Sequence, residues 1–230
     1  MIKELIKKSV SLIINIFFPY RCCVCNKLVS EKNICICNGC MLEMPLHPQN
    51  DGSVKERLYG SPIFSSLFYL YSYNHYSHFS KIIKSFKYKG FRNIAKFISS
   101  SAIENIDFTA LDIDIVVAVP IENKKRIRRG YNQSFEIARL IAKHMGKPCS
   151  DNIIQRRHSK SQTSMTKLGR LENAKSAFYL NKSVKNELSG KTALLVDDIL
   201  TTGSTLLSCM DELERAGVSK VFVFVSAVAI

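Results

Sequence analysis

Two groups of residues in this chain of 230 have types and spacing that could do chemistry. The first is LLVDDILTTGST, Leu194 to Thr205, in which three apolar residues lead to adjacent carboxylates, Asp197 and Asp198, and after Ile199 and Leu200 comes a loop of Thr, Gly and Ser. A buried carboxylate without a partner is costly, so a ligand is expected to compensate. The loop suits a phosphate, because backbone N–H groups at a helix N-terminus are unpaired and positively polarised. Gly203 lets the backbone come close, and Thr201, Thr202, Ser204 and Thr205 add hydroxyl donors. A phosphate held there would leave sugar hydroxyls facing the two carboxylates. The loop is not GxxxxGK[ST] and no GxGxxG is present, so neither a Walker NTPase nor a dinucleotide fold is supported.

The second group is a cysteine cluster. Six of the eight cysteines lie between Cys22 and Cys40, and CxxC occurs twice, at Cys22–Cys25 and Cys37–Cys40. Two such knuckles match a four-cysteine zinc ribbon, each supplying two thiolates from one tight turn. Cys23 and Cys35 are surplus, and either could replace a ligand or stay a free thiol. An iron–sulfur cluster is the competing reading. The remainder of the chain is cysteine-poor, which favours a metal in a reducing, cytoplasmic compartment over disulfides.

Two basic segments complete the inventory. Lys124, Lys125, Arg126, Arg128 and Arg129 follow a buried strand, where a departing diphosphate would need cations. Arg156, Arg157, Lys160, Lys167, Arg170 and Lys175 stand against the single acid Glu172, in a stretch whose breaker-like content suits a mobile lid. The histidines show no nucleophile or acid partner in sequence.

These residues must be placed by an α/β framework. Strand-like runs at 63–73 (one or two strands), 113–120 and 192–198, and a final one after Val218, are interspersed with amphipathic helices at 79–90, 134–146 and about 204–216. Short, fully apolar runs are typical of a buried, largely parallel sheet. Ligands in such sheets bind at the carboxyl ends of the strands. That would gather Asp197–Thr205, a basic loop after Val119 and the loop after a strand near residue 154 on one edge. The expected division is an amphipathic helix at 1–19, a zinc ribbon and linker at 20–60, and the α/β domain at 61–230. The apolar run near the N-terminus is too short to span a bilayer. A net charge of +14 favours phosphate-bearing partners.

The string LLVDDILTTGSTL resembles the signature of type I phosphoribosyltransferases. That resemblance implies phosphoribosyl pyrophosphate (PRPP) with Mg2+, the acid pair on the ribose hydroxyls, the hydroxyl loop on the 5′-phosphate and the basic loop on pyrophosphate. Four blocks are similar to the ComF family of competence-associated, phosphoribosyltransferase-like proteins: FKYKG, which contains Lys87; VPI…RRGYNQS; a block carrying Arg157, Gln162, Arg170, Asn173 and Phe178; and LLVDDILTTGST. Ser159 stands where that family usually has Thr. The expected fold is therefore type I phosphoribosyltransferase-like, a mostly parallel sheet flanked by helices, with a small N-terminal zinc ribbon. Its expected cationic set is Lys87, Lys124, Arg128, Arg129, Arg157 and Arg170.

Two functions follow. One is phosphoribosyl transfer to an acceptor that no residue pattern identifies, across a hood built from residues 60–92 and the zinc module. The other is a non-catalytic PRPP sensor that binds single-stranded DNA. Lys84, Phe86, Lys87, Tyr88, Lys89, Phe91 and Arg92 interleave cations with aromatics, a pattern that suits single-strand binding. The ComF resemblance implies a setting in natural transformation, beside DNA-uptake proteins at the inner face of the membrane.

Overall fold

The computed structural model describes residues 19–30, 35–47, 52–156 and 178–230. The expected N-terminal helix and the basic residues Arg157, Lys160, Lys167, Arg170 and Lys175 lie outside the described residues. Among the described residues, no helix is long and apolar enough to cross a membrane.

Seven strands are described: β1 (Phe64–Tyr73), β2 (Ile115–Ala118), β3 (Cys149–Ser150), β4 (Ile154–Arg156), β5 (Phe178–Leu180), β6 (Thr192–Leu200) and β7 (Lys220–Ala229). Five form one sheet in the order β1-β7-β6-β2-β3, with every pairing parallel. The helices used below are α1 (Asn38–Leu42), α2 (Gly52–Glu56), α3 (His78–Tyr88), α4 (Asn93–Asn105), α5 (Asn123–Arg129), α6 (Gln133–Met145) and α7 (Ser204–Arg215).

The apolar runs are strands buried on both faces, and successive side chains divide between two cores. Leu194, Val196, Val116, Ala118 and Phe224 belong to the core that receives Phe79, Ile82, Ile83 and Phe86 of α3, Ile94 and Ile98 of α4, and Ile137 and Ile141 of α6. Ala193, Leu195, Val117, Val221 and Val223 belong to the core that receives Leu206, Met210 and Leu213 of α7, together with Val54 and Leu58. The cysteine knuckles sit on the first core: Cys22, Cys35, Ile36 and Cys40 are buried within it. That module is tied to its neighbours by His47 N–H, which donates to the Leu70 carbonyl at 2.7 Å, and by Glu43, 3.2 Å from His78 of α3.

Local signals end the helices as their residue types require. Gly146 closes α6 in the left-handed conformation, φ 64°, and Ser77 caps α3 by accepting from Ser80 N–H. Of the two possibilities for the run at 63–73, the structure adopts a single strand. Two expectations change. The basic run after Val119 is a helix rather than a loop, since Asn123–Arg129 has no internal breaker and Gly130, at φ 77°, supplies its end. The strand near residue 154 stands outside the main sheet, pairing antiparallel with β5, while the two-residue β3 takes the sheet edge.

Candidate functional site

β6 is longer than the strand beside it. Ala118, the last residue of β2, pairs with Val196, whereas β6 continues to Leu200 beside β7. Asp197 and Asp198 therefore sit at the carboxyl edge, where β2 has already left the sheet. The start of α6 fills the vacated side. Asn132 donates from Nδ2 to the Val119 carbonyl at 3.0 Å and caps the helix by accepting from Ser134 N–H at 3.2 Å. Ser134 Oγ then donates to Asp197 Oδ1 at 2.9 Å, and Asp198 N–H donates to the same oxygen at 2.8 Å. Asp198 is ion-paired with Lys87, from the last turn of α3.

The charge that looks uncompensated in sequence is thus partly balanced by the protein itself, and unequally. Burial, and then the negative charge of Asp198, push the Asp197 carboxyl up to about 7 against the pull of its hydrogen bonds and Lys87. At neutral pH Asp197 stands near its midpoint, so a ligand that donates to it or brings a cation would complete its ionisation.

Beyond Leu200 the hydroxyl loop turns into α7. Thr201, Thr202, Ser204 and Thr205 are exposed, and Thr202 Oγ1 and Ser204 Oγ lie 2.8 Å apart. Gly203 is buried at φ 84°, and a Cβ there would lie 2.6 Å from the Arg57 carbonyl oxygen, so the turn requires glycine. Arg57 buttresses the loop from behind, donating from Nη1 to the carbonyls of Thr201 at 2.8 Å and Ala229 at 2.9 Å. The first-turn N–H groups of α7 thus open beside the exposed hydroxyls.

Two cavities flank this centre. One, about 550 Å³, is bounded by Tyr73, His75 and Tyr76 at the end of β1, by Lys87, and by Asp198 and Thr201. The other, about 580 Å³, lies beyond Asn132 between α5 and the paired strands β4 and β5, and includes Asn123, Arg126, Asp151 and Arg156.

The basic run is split between two faces of α5. Arg126 turns to Asp151 at 3.0 Å, and Glu122 takes both Lys125 at 3.3 Å and Arg156 at 3.2 Å. Arg128 and Arg129 turn the other way and stack on Tyr88 of α3, 5.5 and 5.4 Å from its ring centroid. Lys124 is exposed on the same helix. Lys87, expected with the cations for pyrophosphate, is ion-paired with Asp198.

At the N-terminal module the sulfurs of Cys22, Cys25, Cys37 and Cys40 all lie within 4.8 Å of one another, and those of Cys25 and Cys37 are 3.6 Å apart. Four thiolates around a tetrahedral zinc at about 2.3 Å would be separated by about 3.8 Å, so this donor set fits such an ion. Burial alone would raise the Cys22 thiol, but backbone N–H donors from Cys25, Cys37 and Val24 outweigh it and bring it down to about 6. A thiol held as thiolate is the ligating form. Cys23 and Cys35 stand outside this group of four; a hydrogen bond between their side chains raises the first and lowers the second.

Nothing in the sequence singles out Ser134, Arg57 or Asn132 individually. RRGYNQS is visible there as a block, but which of its polar residues reaches an acid depends on where α6 begins relative to β6.

The phosphoribosyl transferase domain family matches residues 131–229, from the start of α6 to the end of β7. Along nearly the whole chain there is similarity to Competence protein F of Haemophilus influenzae, 26% identical over 90% of this chain and 96% of that protein. The match to this competence protein and the matched phosphoribosyl transferase domain agree with the resemblance to the ComF family. DNA utilization protein YhgH of Salmonella typhi is 33% identical over 48% of each chain, and its Escherichia coli K12 counterpart 31% over the same shares, so these matches span about half of either protein. Among solved structures, adenine phosphoribosyl transferase from Trypanosoma brucei is similar over 80% of this chain and 82% of its own, at 12% identity and TM-score 0.39, too loose to place residues. The parallel sheet and the matched domain together give this chain a phosphoribosyltransferase-type fold.

Proposed function

We propose that this protein binds PRPP at the carboxyl edge of β6. Asp197 and Asp198 would face the ribose hydroxyls, and Thr201–Thr205 would wrap the 5′-phosphate. The observation that carries this reading is the continuity of an acid pair, a hydroxyl loop held open by Gly203 and Arg57, and the N-terminus of α7. Mg2+, when bound with PRPP, would offset diphosphate charge as C1 of the ribose becomes cationic. The residues themselves bind and orient: no side chain is needed as a nucleophile, since the acceptor forms its bond to C1 as the C1–O bond to diphosphate breaks and pyrophosphate is released. The cavity walled by Tyr73, His75 and Tyr76 gives an acceptor a place beside Asp198. Cations for the diphosphate come in this reading from Lys87, Lys124, Arg128 and Arg129, joined by Arg157 and Arg170.

PRPP with Mg2+ is expected to raise the melting temperature, and Asp197→Asn with Asp198→Asn to remove that rise. An unresponsive native protein would refute the site. Pyrophosphate release from PRPP, measured across a panel of bases, divides a transferase from a sensor.

A second reading is favoured by the exposed ring of Tyr88, 62% accessible, with Arg128 and Arg129 against it and no acid partner for either among the described residues. Such a face suits the bases and phosphates of a single DNA strand. It fits a role in DNA uptake, in keeping with the names of the relatives, in the cytoplasm and beside uptake proteins at the inner face of the membrane. Tyr88→Ala is expected to weaken binding of an oligonucleotide several-fold while leaving the salt slope unchanged, whereas Arg128→Ala reduces the slope. Binding insensitive to both changes would remove this face from the interface. Zinc is the ion proposed for the four cysteines, and the division into 1–19, 20–60 and 61–230 is proposed with it.

A further inference from the structure

β6 outruns β2, so the side of Asp197 that a neighbouring strand would cover is open, and one side chain of α6 reaches into it. Ser134 is 1% exposed. Its hydroxyl has a single proton, and that proton is directed at Asp197 Oδ1, 2.9 Å away. Asp198 N–H meets the same oxygen at 2.8 Å. Both donors lie on Oδ1, which restrains rotation of the carboxylate. Ser134 is itself anchored through the backbone: its N–H donates to Asn132 Oδ1, and Asn132 is tied to the Val119 carbonyl just past the end of β2. The chain Val119–Asn132–Ser134–Asp197 spans the gap that opens where β2 and β6 part.

We propose that Ser134 is a positioning residue, which holds Asp197 turned so that Oδ2 faces the ribose hydroxyls of the bound phosphoribosyl group. This rests on the PRPP reading of the acid pair. Ser134 touches no ligand in this assignment and acts only through Asp197, where its donated proton also favours the carboxylate over the acid. The other groups facing Asp197 are Asp198 of β6, Lys87 of α3 and the buried Cys209 thiol of α7, and the Ser134→Ala substitution leaves all three in place.

The test has two readouts. In the ligand-free protein, the 13Cγ resonance of Asp197, assigned by its loss in Asp197→Asn, is followed through a pH titration. Removing a hydroxyl donor to the anion should raise the midpoint by about one unit in Ser134→Ala. Calorimetric titration with Mg2+ and PRPP at pH 7 should then show affinity about tenfold weaker in Ser134→Ala, with both properties retained in Ser134→Thr, which keeps the hydroxyl. An unshifted midpoint overturns the proposal. So does a shifted midpoint with undiminished affinity, which would confine Ser134 to proton affinity alone. Native protein that does not bind PRPP refutes the underlying reading and takes the positioning role with it. The ligand-free titration would still report the hydrogen bond, so the two failures are distinguishable.

Discussion

Replacing Asp197 by Asn should stabilise the ligand-free protein by an amount that grows from mildly acidic to alkaline pH. The carboxyl has an ordinary value of 3.8 and is raised to about 7 in the fold, first by burial and then by Asp198. For an acid raised in this way, the unfolded chain gives up its proton first. Stability therefore falls as pH climbs above the unfolded value, and the loss stops growing once the folded value is passed. At ~1.36 kcal/mol per unit, the cost increases by ~2 kcal/mol between about pH 5.5 and pH 8. Asp197 retains some access to solvent, and screening reduces the figure to ~1 kcal/mol. Asn carries no charge, so it escapes this cost. Its carbonyl oxygen can still accept from Ser134 and from Asp198 N–H. One kcal/mol is about 2–4 °C of Tm in a chain of this size. The lead of Asp197→Asn over the native protein should therefore widen by a few degrees between the two pH values in calorimetric melts. A lead of equal size at both, or a variant less stable than the native protein at pH 8, would refute the reasoning. The same substitution is expected to weaken PRPP binding, because the group that lowers stability is the one assigned to the ribose.

Two other perturbations probe the scaffold. Gly203→Ala would set a Cβ 2.6 Å from the Arg57 carbonyl oxygen at φ 84°. It is expected to cost ~1–3 kcal/mol and to lower both Tm and the PRPP-induced rise; a variant with native Tm would show that the loop can relax around the methyl. Protein purified without chelator should contain about one zinc per chain by elemental analysis, and Cys22→Ser should lose it. Because Cys22 and Cys40 pack in the same core as Phe86, metal loss should also reduce the Tm of the whole protein; a zinc-free native chain would dismiss the ribbon.

Much of the frame is legible locally. Runs such as TALLVDD and VFVFV bury side chains on both sheet faces, and Gly146 ends α6 where the amphipathic period stops. The CxxC pairs are equally legible, since each knuckle is one turn and the spacing lets two meet. What the sequence misses is the shape of the KKRIRR run. Charge density suggests a loop, but a helix carries its residues around an axis. Arg126 is sent to Asp151, and Arg128 and Arg129 to Tyr88.

The acid pair divides the two kinds of knowledge most clearly. The order of residues determined that two carboxylates would lie near the carboxyl end of a buried strand and precede a hydroxyl loop at a helix N-terminus, because each is a feature of a few consecutive positions. Only the tertiary structure decided what those carboxylates face. Ser134 lies 63 residues from Asp197, Lys87 reaches Asp198 from α3, and Arg57 supports the loop at Thr201 from 144 residues away. Electrostatic balance depends on separation in space and on access to water. Asp197 and Asp198 are neighbours in the chain, yet one is governed by burial and the other by an ion pair, a difference that arises where β6 continues past the end of β2.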